Sequence, residues 1–174
     1  MALAVCLLFD RPGERRVRAL WSRLAELGIQ TLAAHTHGRH VPHLSYVVLR
    51  EWELDRVRTA VERLPDEGPF ELYVDAVGVF RRGRTWLAPA LGPDVARRQL
   101  AVLEAVRSTG ADVHRNYETG VWTPHLTVAP RVPLESLPLL VATINDVLPL
   151  RLRVDRAALV DSGTGVVYPL ATIP

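Results

Sequence analysis

The sequence of 174 residues predicts a duplicated fold in which strands and helices follow one another in the same order twice. Apolar residues recur with the two-residue period of strands and the 3.6-residue period of helices. Two Pro-His-Leu strings lie 82 residues apart (125 − 43), and the same offset aligns five successive elements without a gap. We therefore expect a single domain of two related lobes, about 1–80 and 81–174, paired around a pseudo-two-fold axis.

The first half contains, in order, a strand over 2–9, a helix with apolar positions from Val17 to Leu27, a strand over 43–49, a helix over 54–64 and a strand over 70–76. Gly28 ends the first helix, because glycine readily takes the left-handed conformation that closes helices. Pro65 ends the second helix, because the residue before a proline disfavours the helical conformation.

The second half repeats this order with a strand over 85–91, a helix over 94–109, a strand over 125–129, a helix over 137–148 and a strand over 151–160. A further strand is predicted over 166–171. Gly110 ends the helix at the position equivalent to Gly28. Pro89 favours an edge position for the strand that contains it, because proline cannot donate to a ladder of hydrogen bonds.

The composition limits the classes of protein to which this chain could belong, but it does not indicate a function. Net charge is only +2, and all 21 basic residues are arginine, so charge by itself does not indicate a nucleic-acid partner. The lone Cys6 lies in the first strand and leaves no disulfide framework. The apolar start lacks a basic region and ends at Asp10, which favours a buried strand over a signal peptide. We expect a cytoplasmic monomer that does not associate with membranes.

Each half carries one short histidine motif, PHLSY in the first and PHLTV in the second. Because side chains two positions apart share a face of a strand, His43 lies beside Ser45, and His125 lies beside Thr127. Imidazole titrates near neutral pH, so one ring can take a proton while the other gives one. Hydroxyls can donate to the non-bridging oxygens of a phosphate. The pattern suits opening of a phosphodiester, without a metal ion.

At these residues the sequence resembles the two-histidine (2H) phosphoesterase superfamily, which includes bacterial 2′-5′ RNA ligase-like proteins and cyclic phosphodiesterases. The resemblance implies a bilobal α+β fold with two antiparallel sheets and flanking helices around a central cleft. It implies cofactor-free, metal-independent chemistry on 2′,3′-cyclic phosphates or 2′-5′ linkages of RNA or nucleotides. By position, it implies that His43 and His125 are the acid/base pair and that Ser45 and Thr127 bind phosphate.

The first motif ends a histidine-rich segment, HTHGRHVPH at 35–43. His35, His37 and His40 have no histidine counterparts 82 residues later. Two interpretations stay open for them: a zinc site, for which three ligands on one loop are a weak pattern, and a rim that touches substrate. We favour the rim, with His40 as the candidate, and assign no metal ligand.

Other substrate-binding candidates lie in loops. In the loop over 110–123, Tyr117 and Trp122 can stack on a base or pack over the edge of the lobe, and both interpretations stay open. Arg82 and Arg84 suit a phosphate contact, although we favour a solvated hairpin turn as the explanation of both. We keep Arg82 as the candidate.

Two other classes of function compete with a phosphoesterase. One is a catalytically silent RNA- or nucleotide-binding module with the same cleft. The other is a metallohydrolase that uses the histidines of 35–43. Glycine strings typical of nucleotide triphosphate or dinucleotide binding are missing from the sequence, which argues against ligation driven by a triphosphate.

Overall fold

The computed structural model describes residues 2–174, and within them eight strands and four α-helices alternate. In chain order they are β1 (Leu3–Phe9), α1 (Arg11–Glu26), β2 (His43–Glu51), α2 (Leu54–Glu62), β3 (Phe70–Phe80), β4 (Arg84–Pro89), α3 (Pro93–Arg107), β5 (Asp112–Val113), β6 (Leu126–Ala129), α4 (Leu137–Asn145), β7 (Leu150–Asp161) and β8 (Val167–Pro169). The two-residue strand β5 is the one element that the sequence patterns do not predict. No helix within these residues is both long and apolar enough to span a bilayer.

All eight strands belong to one antiparallel sheet with the order β5-β2-β1-β7-β3-β4-β6, and β8 pairs with β7. The α+β class is therefore confirmed, but the expectation of two sheets is not met. The physical reason is the length of β7, which has 12 residues. Its first part pairs with β3, and its later part pairs with β1 and β8, so one strand joins both halves.

The two halves match down to single residues. Helix α1 begins at Arg11 and α3 at Pro93, which is again an offset of 82. The pairing of β1 with β2 skips Tyr46, and the pairing of β4 with β6 skips Val128, so the same β-bulge recurs at equivalent positions. The strand order β2-β1-β7 also mirrors β6-β4-β3. The division into lobes near residue 80 stays a prediction.

Helix α1 shows how local sequence sets the elements. The Asp10 side chain accepts a hydrogen bond from the Gly13 amide at 2.8 Å, which caps the first turn. Gly28 has a φ of 77° and ends the helix, as the sequence predicts. The buried positions, Val17, Leu20, Trp21 and Leu24, form one stripe along the helix, and this stripe packs against the sheet.

The sheet has a covered face and a helix-free face. The main core lies between the helices and one face of the sheet. On the other face a smaller cluster, to which no helix contributes, contains Ala4, Cys6, Leu8 and Ala158. Strands β2 and β6 lie toward opposite ends of the strand order yet contact each other, so the helix-free face curves inward.

The edge position expected from Pro89 is wrong, because β4 lies between β3 and β6. The reason is that β6 is short. It pairs only with residues 85 to 87 of β4, so Pro89 lies beyond that ladder, where its missing N–H loses no hydrogen bond to β6.

Candidate active site

The two motif histidines, His43 and His125, are held in the same way. Each ring places Nδ1 2.7 Å from the carbonyl oxygen two residues earlier, that of Val41 for His43 and that of Thr123 for His125. A carbonyl oxygen only accepts, so Nδ1 carries the hydrogen in both rings, and Nε2 is the ring nitrogen without this bond. In each motif a proline lies between the histidine and this carbonyl, and its restricted φ fixes the backbone there.

Burial lowers the pKa of both motif histidines below the ordinary value for imidazole, and the bond to the backbone carbonyl opposes this effect. The positive charge of His43 lowers the pKa of His125 further, and so does that of Arg84. The two rings are thus within electrostatic reach of each other, as the contact between β2 and β6 requires. Repulsion between the two charged rings makes loss of the first proton from the doubly protonated pair easier.

The motif hydroxyls, Ser45 and Thr127, follow the histidines on the same face of each strand. Ser45 is buried and lies opposite Cys6, with 3.5 Å between Oγ and Sγ. Thr127 lies opposite Trp86 in the register of β4 and β6. The two β-bulges come directly after these hydroxyl residues. At each bulge two consecutive residues belong to the main core, Tyr46 and Val47 in β2 and Val128 and Ala129 in β6.

The loop of the second half reaches across to the strand of the first. The Trp122 indole N–H donates to the Ser45 carbonyl oxygen at 3.1 Å, and its ring lies 6.1 Å from that of Tyr46. These are the contacts expected of packing. The Tyr117 ring lies 6.3 Å from that of His125. Burial raises the pKa of Tyr117, and a side-chain hydrogen bond with Ser45 opposes that rise.

Gln99 of α3 is a site-supporting residue that the sequence analysis missed. Its side-chain amide donates to the carbonyl oxygens of Tyr46, at 3.2 Å, and Tyr117, at 3.1 Å. Gln99 is only 5% exposed and occupies the apolar stripe of its helix between Val95 and Val102. A polar residue in an apolar stripe is the signal that could have identified it, because buried polar groups need partners.

The remaining histidines of 35–43 gather beside His43. The ring of His40 lies 4.2 Å from that of His37 and 5.9 Å from that of His35. Burial, followed by the charges of His37, His43 and His35, lowers the pKa of His40 to about 4. Throughout residues 2–174, no three or more histidine, cysteine or carboxylate side chains are grouped so as to hold a metal ion. The segment is anchored where Arg39 donates to the Thr164 carbonyl oxygen at 2.7 Å.

The two arginine candidates differ in position. Arg82 lies exposed in the turn between β3 and β4, with a φ of 67°. Arg84 begins β4, and its charge lowers the pKa values of His125 and His114. The charge of Arg84 therefore acts on one motif histidine, His125, whereas the phosphate contact expected of Arg82 stays a prediction.

Known structures resemble this chain over its whole length at low sequence identity. TT0787 of Thermus thermophilus is 18% identical, with all of both chains covered and a TM-score of 0.64. LigT of E. coli in its apo form is 13% identical, with 99% of this chain and 95% of LigT covered and a TM-score of 0.63. Usb1 of Kluyveromyces marxianus is 15% identical, with 97% and 98% covered and a TM-score of 0.52. At such identities the likeness shows the fold.

No curated protein matches the sequence. The model of the 2′-5′ RNA ligase superfamily matches residues 10–165, which include both histidine motifs and most of the sheet. The chain belongs to the 2′-5′ RNA ligase superfamily, whose members are 2H phosphoesterases.

Proposed function

We propose that the protein is a metal-independent phosphoesterase that acts on 2′,3′-cyclic phosphates or 2′-5′ phosphodiester linkages of RNA or nucleotides. The observation that carries the proposal is the matched pair of imidazoles, His43 and His125. Each has Nδ1–H held by a backbone carbonyl and Nε2 left for proton exchange. A pair of groups that can both accept and donate a proton is what a displacement at phosphorus needs.

Hydrolysis of a cyclic phosphate needs one proton taken and one proton given. Nε2 of one motif histidine takes a proton from water as the water oxygen bonds to phosphorus. Nε2 of the other gives its proton to the ribose oxygen as the bond from phosphorus to that oxygen breaks. The hydroxyls of Ser45 and Thr127 donate to the non-bridging oxygens, where charge builds up. If a 5′-hydroxyl replaces water, its oxygen bonds to phosphorus as the bond from phosphorus to the 3′ oxygen breaks, and the same two proton transfers join two RNA ends through a 2′-5′ linkage. The reverse of that step cleaves the linkage with the acid and base roles exchanged, so cleavage and ligation share one site.

The ligands of structural neighbours support a nucleotide-like substrate. LigT of E. coli has been solved in complexes with NADP+ and with ATP, and Usb1 of Kluyveromyces marxianus with uridine monophosphate. Another neighbour of similar fold is the MHV ns2 PDE domain. Tyr117 and His40, which lie near the motif histidines, are the proposed substrate contacts among the loop residues.

The proposal is tested by turnover of nucleoside 2′,3′-cyclic phosphates and 2′-5′ dinucleotides in EDTA. His43→Ala and His125→Ala are each expected to lower kcat/KM by about 10²- to 10⁴-fold, because each removes one proton-transfer group. Ser45→Ala and Thr127→Ala are each expected to lower kcat/KM by about 10²- to 10³-fold. Thr59→Ala, which removes an exposed hydroxyl on α2, is the matched control, and its kcat/KM should equal that of the parent.

Three outcomes would contradict the proposal. Binding of nucleotides without turnover of any substrate would favour a silent binding module. Loss of activity in EDTA that added metal restores would favour a metallohydrolase. Full activity after replacement of both motif histidines would disprove the residue assignment.

A further inference from the structure

Two aromatic rings stand beside His125 on the helix-free face. Phe80, at the end of β3, stacks on Trp86 of β4 with 4.8 Å between centroids and 27° between planes. His125 lies 5.1 Å from Phe80 and 6.0 Å from Trp86. The planes of His125 and Phe80 are 87° apart, so these two rings meet in a T-shaped arrangement. Phe80 is only half-buried, so part of its side chain is open to a ligand. We call Phe80 and Trp86 the aromatic shelf.

The aromatic shelf is held rigidly by its own strands. Trp86 lies opposite Gly78 in the register of β3 and β4. A Cβ atom at Gly78 would lie 2.1 Å from Cζ2 of the indole, so the ring rests directly on the backbone of β3. Phe80 stacks on that ring. A flat aromatic surface that is fixed before a ligand arrives loses little entropy on binding.

Charge at the aromatic shelf favours an anion. Arg84 lies directly opposite Phe80 in the strand register, and its side chain is exposed. Its charge reaches His125, because it lowers the pKa of that ring. A planar stacking surface, a guanidinium and a proton-transfer group thus lie together on one side of the site.

The aromatic shelf breaks the symmetry of the two halves. The residue equivalent to Trp86, 82 positions earlier, is Ala4, which leaves no ring beside His43 in that strand. Of the two loop residues that could stack on a base, Trp122 is already engaged with Ser45 and Tyr46 of β2, while the ring of Tyr117 lies 6.3 Å from that of His125. The asymmetry is not required by the fold and indicates a ligand with a planar group on one side of its phosphate.

We propose that the aromatic shelf is a nucleobase subsite, in which the base next to the reacting phosphate stacks on the exposed part of Phe80 while Arg84 contacts the phosphate. This inference rests on the proposed function and narrows its substrate class. The preferred substrate is a nucleotide or RNA end with a base on the reacting ribose, and a cyclic phosphate without a base is a poor one.

The test compares a nucleoside 2′,3′-cyclic phosphate with ribose 2′,3′-cyclic phosphate, which lacks the base. The parent should have a lower KM for the nucleoside form, by at least about fivefold. Phe80→Leu should raise that KM by about 5- to 150-fold, which corresponds to the loss of one stacked base, with kcat little changed. The same variant should leave KM for ribose 2′,3′-cyclic phosphate unchanged. Phe80→Tyr should restore the parent value.

Tyr73→Leu is the matched control, because Tyr73 is a 40% exposed aromatic residue on the same strand. It should leave both KM values as in the parent. Equal KM values of the parent for the two substrates would overturn the subsite, and so would an equal loss on both substrates in Phe80→Leu. The latter would mean that Phe80 only supports His125.

Failure of the proposed function is distinguishable from failure of the subsite. If the parent turns over neither substrate, the enzyme proposal fails, and binding then tests the subsite alone. In His43→Ala, a nucleoside 3′-monophosphate should quench tryptophan fluorescence at a concentration at least about fivefold lower than ribose 3-phosphate does. Equal affinities for the two probes would overturn the subsite.

Discussion

Replacing Gln99 by methionine tests how the loop of the second half is held against β2. The side-chain amide of Gln99 is a shared donor for two carbonyl oxygens, one on β2 at Tyr46 and one in the loop at Tyr117. Methionine has the same unbranched length and a similar helix propensity, so the substitution removes the donor while keeping the volume.

The expected cost follows from the two carbonyl oxygens that lose their partner. A buried acceptor left unsatisfied costs about 1–3 kcal/mol. The bond to Tyr46 is buried and the bond to Tyr117 is partly buried, so the second cost is the smaller. We expect Gln99→Met to lower the free energy of unfolding by about 2–4 kcal/mol. In a domain of this size that corresponds to a fall in Tm of about 4–16 °C.

Urea unfolding and thermal unfolding measure this change, and steady-state kinetics follow its effect on the site. Because the loop carrying Tyr117 loses an anchor, KM for a cyclic phosphate should rise more than kcat falls. Leu100→Met is the control, since Leu100 is a neighbouring 39% exposed residue of α3 and receives the same side chain. If the free energy of unfolding of Gln99→Met were within about 0.5 kcal/mol of that of the control, the amide of Gln99 would not hold the loop of the second half against β2.

Two further predictions concern pH. Because the pKa values of both motif histidines are lowered, kcat/KM should follow a bell-shaped pH profile with its maximum below about pH 6.5. Arg84→Gln removes a charge that lowers the pKa of His125, so the profile of this variant should move to higher pH. An unmoved profile would contradict the electrostatic effect of Arg84 on His125. For His40, whose pKa is about 4, the folded state binds a proton less readily than the unfolded state, so its contribution lowers stability as pH falls from about 6.5 toward 4. Between pH 7 and 4, the free energy of unfolding measured in urea should therefore fall by about 1–2 kcal/mol less in His40→Asn than in the parent, after allowance for screening. An equal fall in both proteins would mean that the folded structure does not lower the pKa of His40.

Much of the fold could be predicted because it is encoded in local patterns. The helices are marked by apolar stripes and by glycine stops such as Gly28, which depend only on neighbouring residues. The offset of 82 residues carries these boundaries from one half to the other, so α1 and α3 begin at equivalent positions. The single continuous sheet could not be predicted in this way, because β7 selects β1, β3 and β8 as partners from distant parts of the chain.

The candidate pair of histidines could be chosen from the sequence because it is part of the repeat. His43 and His125 stand out because each begins the same short string on equivalent strands. Their common bond to a backbone carbonyl two residues earlier is local and follows from the same string. Gln99 and Arg84 were not chosen from the sequence, because each acts on a residue that is far away along the chain. Gln99 donates to the carbonyl oxygen of Tyr46, and the charge of Arg84 lowers the pKa of His125.

By itself, the sequence determined the duplication, the order of elements and the pair of imidazoles with a hydroxyl beside each. Only the tertiary structure decided which aromatic residues flank His125. Trp122 is turned to pack on β2, while Phe80 and Trp86, which no sequence pattern singles out, form the aromatic shelf. The physical reason is register. The neighbours of a ring are set by how strands from distant parts of the chain align and by how the sheet curves, and neither is contained in the periodicity of a single segment.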